Sequence, residues 1–316
     1  MRVAAIDIGT VTSRLLIADV EGSRVTPVVR RAEITNLGEG VDKSGVLLNA
    51  AIERTVAQVK EYYECIRSFD ETDTPVVSLV AVATSASRDA KNSAEFVSAL
   101  KEVGVELRVI PGEREAQLSF LGAANDFRNK PLLVVDIGGG STEVIGGATQ
   151  DCEGSAMPEI ALQYSHSFNV GCRRMTERFL SSNPPDLTDY ADARAWAQSE
   201  LAPFAKACEG ERSVVAVAGT ATTAISIREA MEVYDPERVH GAIMTRGDLQ
   251  ELFDRMAFMT LEEKQKVVGL QPQRASVIVA GFVILDVVLE LMGQDSFVVS
   301  ESDILQGLAI EEAASC

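Results

Sequence analysis

Histidine is almost absent from this chain, since only His166 and His240 occur among its 316 residues. A metal site built from three histidines is therefore excluded, and nucleophilic catalysis with histidine as the base is disfavoured. Cys-x-x-Cys pairs are also missing, and the odd number of cysteines is typical of reduced cytoplasmic thiols rather than of a disulfide framework. The cysteines are Cys65, Cys152, Cys172, Cys208 and Cys316. Chemistry should therefore depend mainly on carboxylates, backbone amides and arginines.

The chain also lacks a long apolar run without charges. Its longest apolar stretch, residues 275–292, contains Asp286 and Glu290 one helical turn apart, which is typical of a buried core helix rather than a membrane span. The N-terminus reaches Asp7 without the extended apolar segment of a signal peptide. We therefore expect a cytoplasmic protein with no membrane partner.

Cations are scarce, because 29 Lys and Arg residues face 47 Asp and Glu residues and give a formal net charge of -18. A field of this sign repels polyanions, so nucleic acid and anionic lipid are disfavoured as partners of the general surface. A phosphate-bearing substrate would have to be bound by local cations or by a metal ion.

The pattern of strands and helices predicts two domains with a duplicated core. Residues 3–8 and 13–20 read as strands around a Gly-Thr turn, and Asn49 is a candidate N-cap for a long amphipathic helix. At Pro131 the opening pattern begins again, so the Asp-Ile-Gly turn at Asp7 recurs 129 residues later at Asp136. We place an N-terminal domain at 1–126, completed by a C-terminal helix at 301–316, and a second domain at 127–300.

The sharpest motif is DIGGGST, which begins at Asp136. Three consecutive glycines leave backbone amides accessible to phosphate oxygens, and an aspartate at the end of a buried strand suits magnesium. A tight hairpin turn with a solvated aspartate is the structural alternative, which the second Asp-Ile-Gly turn at Asp7 disfavours. A dinucleotide site fits poorly because a strand follows the glycines, and no P-loop Gly-Lys-Ser/Thr occurs. This pattern favours an actin-like architecture in which phosphates bind between two hairpins.

Charged segments lie between and after the two turns. Arg88 and Lys91 follow a buried strand, where cations can reach a ligand or simply begin a solvated helix. Glu115 lies in the first turn of a predicted helix, where acids also complement the helix dipole. Two further segments, VGCRRMTERF and VAGTATT, could bind an anion or only pack.

The order of these motifs resembles the Ppx/GppA phosphatase family across nearly the full chain. The matching segments are IDIG, ATSASR, PGEREAQL, DIGGGSTE, VGCRRMTERF and VAGTATT. The resemblance implies an α/β fold of the duplicated actin-like (ASKHA, ribonuclease H-like) type with an interdomain cleft, in its short two-domain form. It also implies a magnesium-dependent exopolyphosphatase, which would release terminal orthophosphate from inorganic polyphosphate.

The resemblance also implies a role for each matched residue. Glu115 matches the catalytic glutamate, the general base for the attacking water. Asp136 and Glu143 match carboxylates associated with Mg2+ and that water. The expected phosphate ligands are Gly138, Gly139, Gly140 and Ser141 on one wall, and Asp7, Thr10 and Arg88 on the other.

Three positions depart from the family pattern and bear on the substrate. Val11 stands where the family usually has asparagine, Arg114 replaces one of two consecutive glutamates, and Gln271 replaces a common histidine, leaving Arg274 as the cation of that segment. Arg114 could bind a substrate phosphate or pair with a neighbour.

Other functions stay open at this stage. Guanosine pentaphosphate is the alternative substrate, and loss of its 5′ γ-phosphate the alternative reaction. An ATP-binding kinase-like protein would need only the two hairpins, and a non-catalytic polyphosphate or nucleotide sensor would accommodate Val11 and Arg114. A homodimer is compatible with each of these interpretations.

Overall fold

The computed structural model describes residues 1–150, 159–207 and 212–315. Two compact units make up the chain. Unit 1 comprises Met1–Asn129, Thr149–Ala161 and Ser302–Cys316, and unit 2 comprises Lys130–Ala148 and Leu162–Glu301. Unit 1 is therefore assembled from segments at both ends of the sequence. Three of the cysteines considered above, Cys152, Cys208 and Cys316, lie outside the described residues, whereas Cys65 and Cys172 are free thiols.

The described elements are numbered along the chain. The strands are β1 (Arg2–Ile8), β2 (Thr12–Glu21), β3 (Arg24–Ile34), β4 (Ser78–Ala83), β5 (Leu107–Val109), β6 (Pro131–Ile137), β7 (Thr142–Gln150), β8 (Glu159–Phe168), β9 (Ser213–Val217), β10 (Ile243–Thr245) and β11 (Ser296–Val299). The helices are α1 (Val41–Ser44), α2 (Asn49–Arg67), α3 (Ser85–Asp89), α4 (Ser93–Glu102), α5 (Gly112–Ala124), α6 (Cys172–Phe179), α7 (Leu187–Ala207), α8 (Ala218–Arg228), α9 (Pro236–Val239), α10 (Arg246–Met256), α11 (Leu261–Lys264), α12 (Ile278–Met292) and α13 (Ile304–Ser315), with a 3-10 turn at Pro272–Arg274.

The sheet of unit 1 has the order β3-β2-β1-β4-β5 within the described residues. Strand β1 pairs antiparallel with β2 and parallel with β4. Because side chains alternate along a strand, Ala4 and Ile6 enter the core beneath α2 and α4, while Val3 and Ala5 enter the core beneath α5 and α13. Asp7 has the parity of the second set. Its carboxylate therefore lies at the end of the face that α5 and α13 cover.

Helices α5 and α13 cross very closely, at two glycines. A Cβ atom on Gly122 would lie 1.9 Å from the carbonyl oxygen of Asp303, and one on Gly307 would lie 2.0 Å from that of Leu118. Side chains at these positions would hold the helix backbones apart. The glycines thus fix the start of α13 against α5.

The sheet of unit 2 has the order β10-β11-β9-β6-β7-β8 within the described residues. Its largest core element is α12, which is almost entirely buried, as predicted for residues 275–292. The two acids in that stretch are neutralised, because Arg246 and Arg194 both pair with Asp286, and Arg194 also pairs with Glu290. Among the described residues, none of the helices combines the length and apolar composition that a membrane span requires.

The predicted duplication is visible in the strand registers. Asp7 lies opposite Arg14 across β1 and β2, and Asp136 lies opposite Glu143 across β6 and β7. The first strand of each hairpin also pairs with a parallel strand: β1 pairs with β4 in unit 1, and β6 pairs with β9 in unit 2. The α/β class and the repeated Asp-Ile-Gly hairpin are therefore confirmed.

One local prediction was wrong. Asn49 is the first residue of α2, and the N-cap position belongs to Leu48, whose side chain makes no capping bond. The amphipathic pattern identified this helix, but it did not locate its start.

Candidate active site

In unit 1, Asp7 near the end of β1 forms a buried ion pair with Arg14 of β2. The Asp7 side chain is buried, and its Oδ2 accepts hydrogen bonds from Arg14 Nε at 3.0 Å and Nη2 at 2.6 Å. Arg14 Nη1 donates to Oδ2 of Asp303. Burial raises the pKa of Asp7 above its usual range, although the guanidinium beside it acts in the opposite direction. Among the described residues, none donates a hydrogen bond to Asp7 Oδ1, which is also buried.

Thr10 lies in the turn between β1 and β2, and the segment at 36–38 is hydrogen-bonded to this turn. The carbonyl of Thr10 accepts a hydrogen bond from the amide of Gly38 at 2.9 Å, and that of Val11 accepts one from the amide of Asn36 at 2.9 Å. A Cβ on Gly38 would lie 2.2 Å from Thr10 Cγ2, so the segment packs directly against the threonine. The Val11 side chain is buried. This departure from the family pattern therefore contributes to packing.

Arg88 and Glu115, which are 27 residues apart, meet in unit 1. Arg88 Nη1 donates to Oε2 of Glu115 at 3.1 Å and to the carbonyl of Ile110 at 3.1 Å. Glu115 lies on the first turn of α5 and is only 8% exposed. The contact fixes the orientation of a carboxylate for which the family resemblance implies the role of general base.

The neighbouring Arg114 points to a different partner. Its guanidinium pairs with Glu311 of α13 and donates to Gln117 at 3.3 Å. Of the two roles considered for Arg114, pairing with a neighbour is the one observed.

In unit 2, the glycine turn after β6 is bound through its carbonyl groups. The carbonyl of Gly138 accepts from the amide of Cys172 at 3.0 Å, and that of Gly139 accepts from the amides of Arg173 at 2.9 Å and Arg174 at 3.1 Å. Arg174 Nε also donates to the carbonyl of Gly140 at 2.8 Å.

These contacts direct the carbonyl groups of the turn toward the start of α6. A Cβ on Gly171 would lie 2.3 Å from the Gly139 oxygen, so the close approach requires glycine there. Among the described residues, none accepts a hydrogen bond from the amides of Gly139, Gly140 or Ser141. Consecutive backbone amides of this kind form an anion-binding concavity. A turn with this arrangement of amides can accept an anion such as phosphate.

The two acids of unit 2 are brought together by the strand register. Asp136 and Glu143 are directly opposite one another, so their side chains leave the same face of the sheet. Both are buried, and Ser167 Oγ donates to Oε1 of Glu143 at 2.6 Å. Sequence reasoning missed Ser167, which lies on β8.

These acids suit a magnesium ion that is completed by other ligands. Among the described residues, no three His, Cys, Asp or Glu side chains are grouped closely enough to hold a metal ion alone. Magnesium, however, is commonly bound through one or two carboxylates together with water and substrate phosphate oxygens. The donor set of Asp136, Glu143 and a phosphate near the glycine turn fits that requirement.

Cations surround the start of α6. Arg274 lies against Gly219, where a Cβ would meet its Nη1 at 2.0 Å, and Arg173 Nη1 is 3.4 Å from Glu177. Burial raises the pKa of the Cys172 thiol, even though Arg274 and Arg173 lower it. The thiol is therefore poorly suited to act as a nucleophile. Of the arginines in this segment, Arg178 lies over the ring of Trp196 at 5.2 Å, a packing role.

Comparison with known proteins identifies the class. Residues 16–315 match the Ppx/GppA phosphatase family, and the chain belongs to this family. It is similar to the exopolyphosphatase 2 of Mycobacterium tuberculosis, with 36% identity over 330 residues that cover 99% of this chain and 98% of that protein. The predicted family is therefore confirmed.

Two further relatives define the extent of the similarity. A bifunctional 3-dehydroquinate synthase/phosphatase of Fusobacterium nucleatum is 36% identical over 98% of this chain, which spans only 46% of that protein. The crystal structure of an Aquifex aeolicus Ppx/GppA family member superposes with a TM-score of 0.80 and 31% identity, covering 100% of this chain and 98% of that one. The predicted α/β fold is thus shared with a solved member of its own family.

Proposed function

We propose that this chain is an exopolyphosphatase that releases orthophosphate from the end of inorganic polyphosphate. The observation that supports this most directly is the turn at 138–141. Its carbonyl groups accept hydrogen bonds from the start of α6, while the successive amides of residues 139–141 have no acceptor among the described residues. Such a turn binds phosphate through backbone groups and does not recognise a base or a sugar. The relative from Mycobacterium tuberculosis, similar over nearly its full length, carries the exopolyphosphatase name.

The proposed reaction is the attack of water on the terminal phosphorus. The bond from that phosphorus to the bridging oxygen breaks, the shortened chain leaves with the bonding electrons, and Glu115 accepts a proton from the water. A buried carboxylate held by Arg88 suits this role because its orientation is fixed before substrate binds. General-base catalysis of this kind contributes about 10²- to 10⁴-fold to rate.

Magnesium is part of the proposal, with Asp136 and Glu143 as its protein ligands. When bound, the ion would neutralise negative charge on the phosphate oxygens. Residues of the chain would bind the phosphate and position the metal ligand: Ser141 and the glycines hold the phosphate, and Ser167 orients Glu143. Asp7, Thr10 and Arg88 remain the proposed phosphate ligands of unit 1.

The test is orthophosphate release by purified protein with Mg2+ and polyphosphates of short and long chain length. Glu115→Gln should lower kcat by about 10²- to 10⁴-fold. Glu113→Gln is the matched control, because Glu113 lies on the same helical turn but is exposed. If Glu115→Gln releases orthophosphate as fast as the unsubstituted protein, Glu115 is not the base.

The same assay with guanosine pentaphosphate separates the two substrates of the family pattern. We expect release of orthophosphate from polyphosphate to exceed formation of guanosine tetraphosphate, since the backbone amides of the turn at 138–141 would bind a phosphate and not a base. Faster formation of guanosine tetraphosphate would mean that guanosine pentaphosphate, and not polyphosphate, is the substrate. The cytoplasmic location, the homodimer and the absence of nucleic-acid partners stay predictions.

A further inference from the structure

The two hairpins place opposite charges at one equivalent position. Arg14 lies opposite Asp7 in unit 1, and Glu143 lies opposite Asp136 in unit 2. Each residue of the first pair is 129 positions before its counterpart in the second. Both hairpins therefore have an aspartate at this position, but its cross-strand neighbour is a guanidinium in the first hairpin and a carboxylate in the second.

Arg14 lies between two buried carboxylates. Nε and Nη2 donate to Oδ2 of Asp7, and Nη1 donates to Oδ2 of Asp303, a residue 289 positions away. Asp7 and Asp303 are 4% and 5% exposed, so neither charge is neutralised by water. Two buried acids in this arrangement need a cation between them.

Asp303 is itself held firmly by the start of α13. Its Oδ1 accepts a hydrogen bond from the amide of Leu305 at 3.0 Å, and its own amide donates to Oε1 of Gln306 at 3.0 Å. Asp303 therefore acts as an N-cap, because its side chain accepts from the second residue of the helix. The Gly122 and Gly307 crossing fixes the same helix start against α5. Arg14 therefore has a rigid second anchor.

We infer that Arg14 is a built-in counter-ion that takes the place of a divalent cation in the first hairpin, and that Asp303 is its second anchor beside Asp7. Both are positioning residues: they fix the Asp7 carboxyl group, and they confine divalent-ion binding to Asp136 and Glu143 in the second hairpin. A guanidinium suits this role because it remains protonated and grips a carboxylate through several fixed donors. The inference rests on the proposed function only in assigning magnesium to the second hairpin.

The experiment counts Mn2+ ions bound by the full chain, using electron paramagnetic resonance of free Mn2+ at millimolar concentrations. Arg14→Ala removes the guanidinium and leaves Asp7 and Asp303 facing one another. We expect this variant to bind one more Mn2+ per chain than the unsubstituted protein and to gain more thermal stability from Mn2+. The additional ion should be absent from Arg14→Lys, which keeps a cation, and from Arg14→Ala combined with Asp303→Asn.

Equal numbers of bound Mn2+ in Arg14→Ala and the unsubstituted protein would overturn the inference. Should Arg14→Ala fail to fold, Asp303→Asn alone decides, because it keeps Arg14 on Asp7. That variant should bind Mn2+ within twofold of the unsubstituted protein, and a tenfold or greater loss would place the ion in the first hairpin. Failure of the magnesium assignment is seen separately, as Mn2+ binding that Glu143→Gln does not change.

Discussion

Arg88 donates one hydrogen bond to Glu115 and another to the carbonyl of Ile110, each with a donor–acceptor distance of 3.1 Å. A backbone group in the turn before α5 therefore fixes the cation that orients the proposed base. Arg88→Met should therefore lower kcat by about 10²-fold, the usual effect of misplacing a catalytic group by about 1 Å. Steady-state kinetics of phosphate release would measure it. Arg108→Met, an exposed arginine on β5, is the control and should leave kcat unchanged. An unaltered kcat in Arg88→Met would contradict the orienting role.

Ser167 supports Glu143 from the next strand, with a hydrogen bond of 2.6 Å. We expect Ser167→Ala to raise the Mg2+ concentration for half-maximal activity by about 10- to 100-fold, as loss of a group that orients a metal ligand commonly does. Ser165→Ala is a close control on the same strand, where the hydroxyl has no hydrogen-bond partner among the described residues. Identical Mg2+ titrations for the two variants would show that Ser167 does not act through a metal ligand.

The glycine crossing of α5 and α13 predicts a selective effect on stability. Gly307→Ala should lower the free energy of unfolding by about 1–3 kcal/mol, because the added Cβ meets the backbone of α5 at 2.0 Å, which a side-chain movement cannot relieve. Gly247→Ala in α10 is the matched control, since its Cβ would lie 3.6 Å from its nearest neighbour, Thr245 Oγ1. Alanine is the better helix former, so this control should be neutral or stabilising by up to about 1 kcal/mol. Urea denaturation of both variants measures the difference.

Asp286 should make stability depend on pH. Burial raises its pKa, but hydrogen bonds from Arg246 and Arg194 outweigh that effect and hold the pKa below its usual range. A carboxylate with a lowered pKa stabilises the fold above its unfolded pKa of about 3.9, and this contribution is lost as pH falls through the folded pKa.

Asp286→Asn should therefore cost about 2 kcal/mol at pH 7, and the difference from the unsubstituted protein should shrink below about pH 4. Urea denaturation across this pH range gives both values. Asp254→Asn, at an exposed position of α10, should change stability by less than about 0.5 kcal/mol at either pH. A loss in Asp286→Asn that stays constant down to the acid limit would mean that packing, and not charge, accounts for it.

Local patterns were sufficient to predict the two hairpins. Alternating apolar residues leading to Asp7 and Asp136 indicated buried strands, and glycine after each indicated a turn, so the pairing of 136 with 143 required only a short loop. The apolar density of α12 likewise identified a core helix despite Asp286.

The remaining contacts depend on residues that are distant in sequence. No local pattern links Arg14 with Asp303 or Arg114 with Glu311, and Gly307 within a helix indicates only a weaker helix until its neighbour at Leu118 is known. The start of α2 also differed from the prediction. Asn49 is a good capping residue, yet the N-cap position belongs to Leu48, so capping preference alone did not locate the helix end.

The pairing of Arg14 with a residue 289 positions later also has a consequence during synthesis. At about 5–20 residues per second, roughly 15 to 60 seconds separate the appearance of Arg14 from that of Asp303 on the ribosome. Throughout that interval Val82 of the first sheet and Leu118 of α5 lack the apolar side chains of α13 that cover them in the folded protein. The nascent chain should then expose a site for chaperone binding, and ribosome-stalled chains ending near residue 290 should be cleaved by protease within the first 129 residues, whereas the released protein resists.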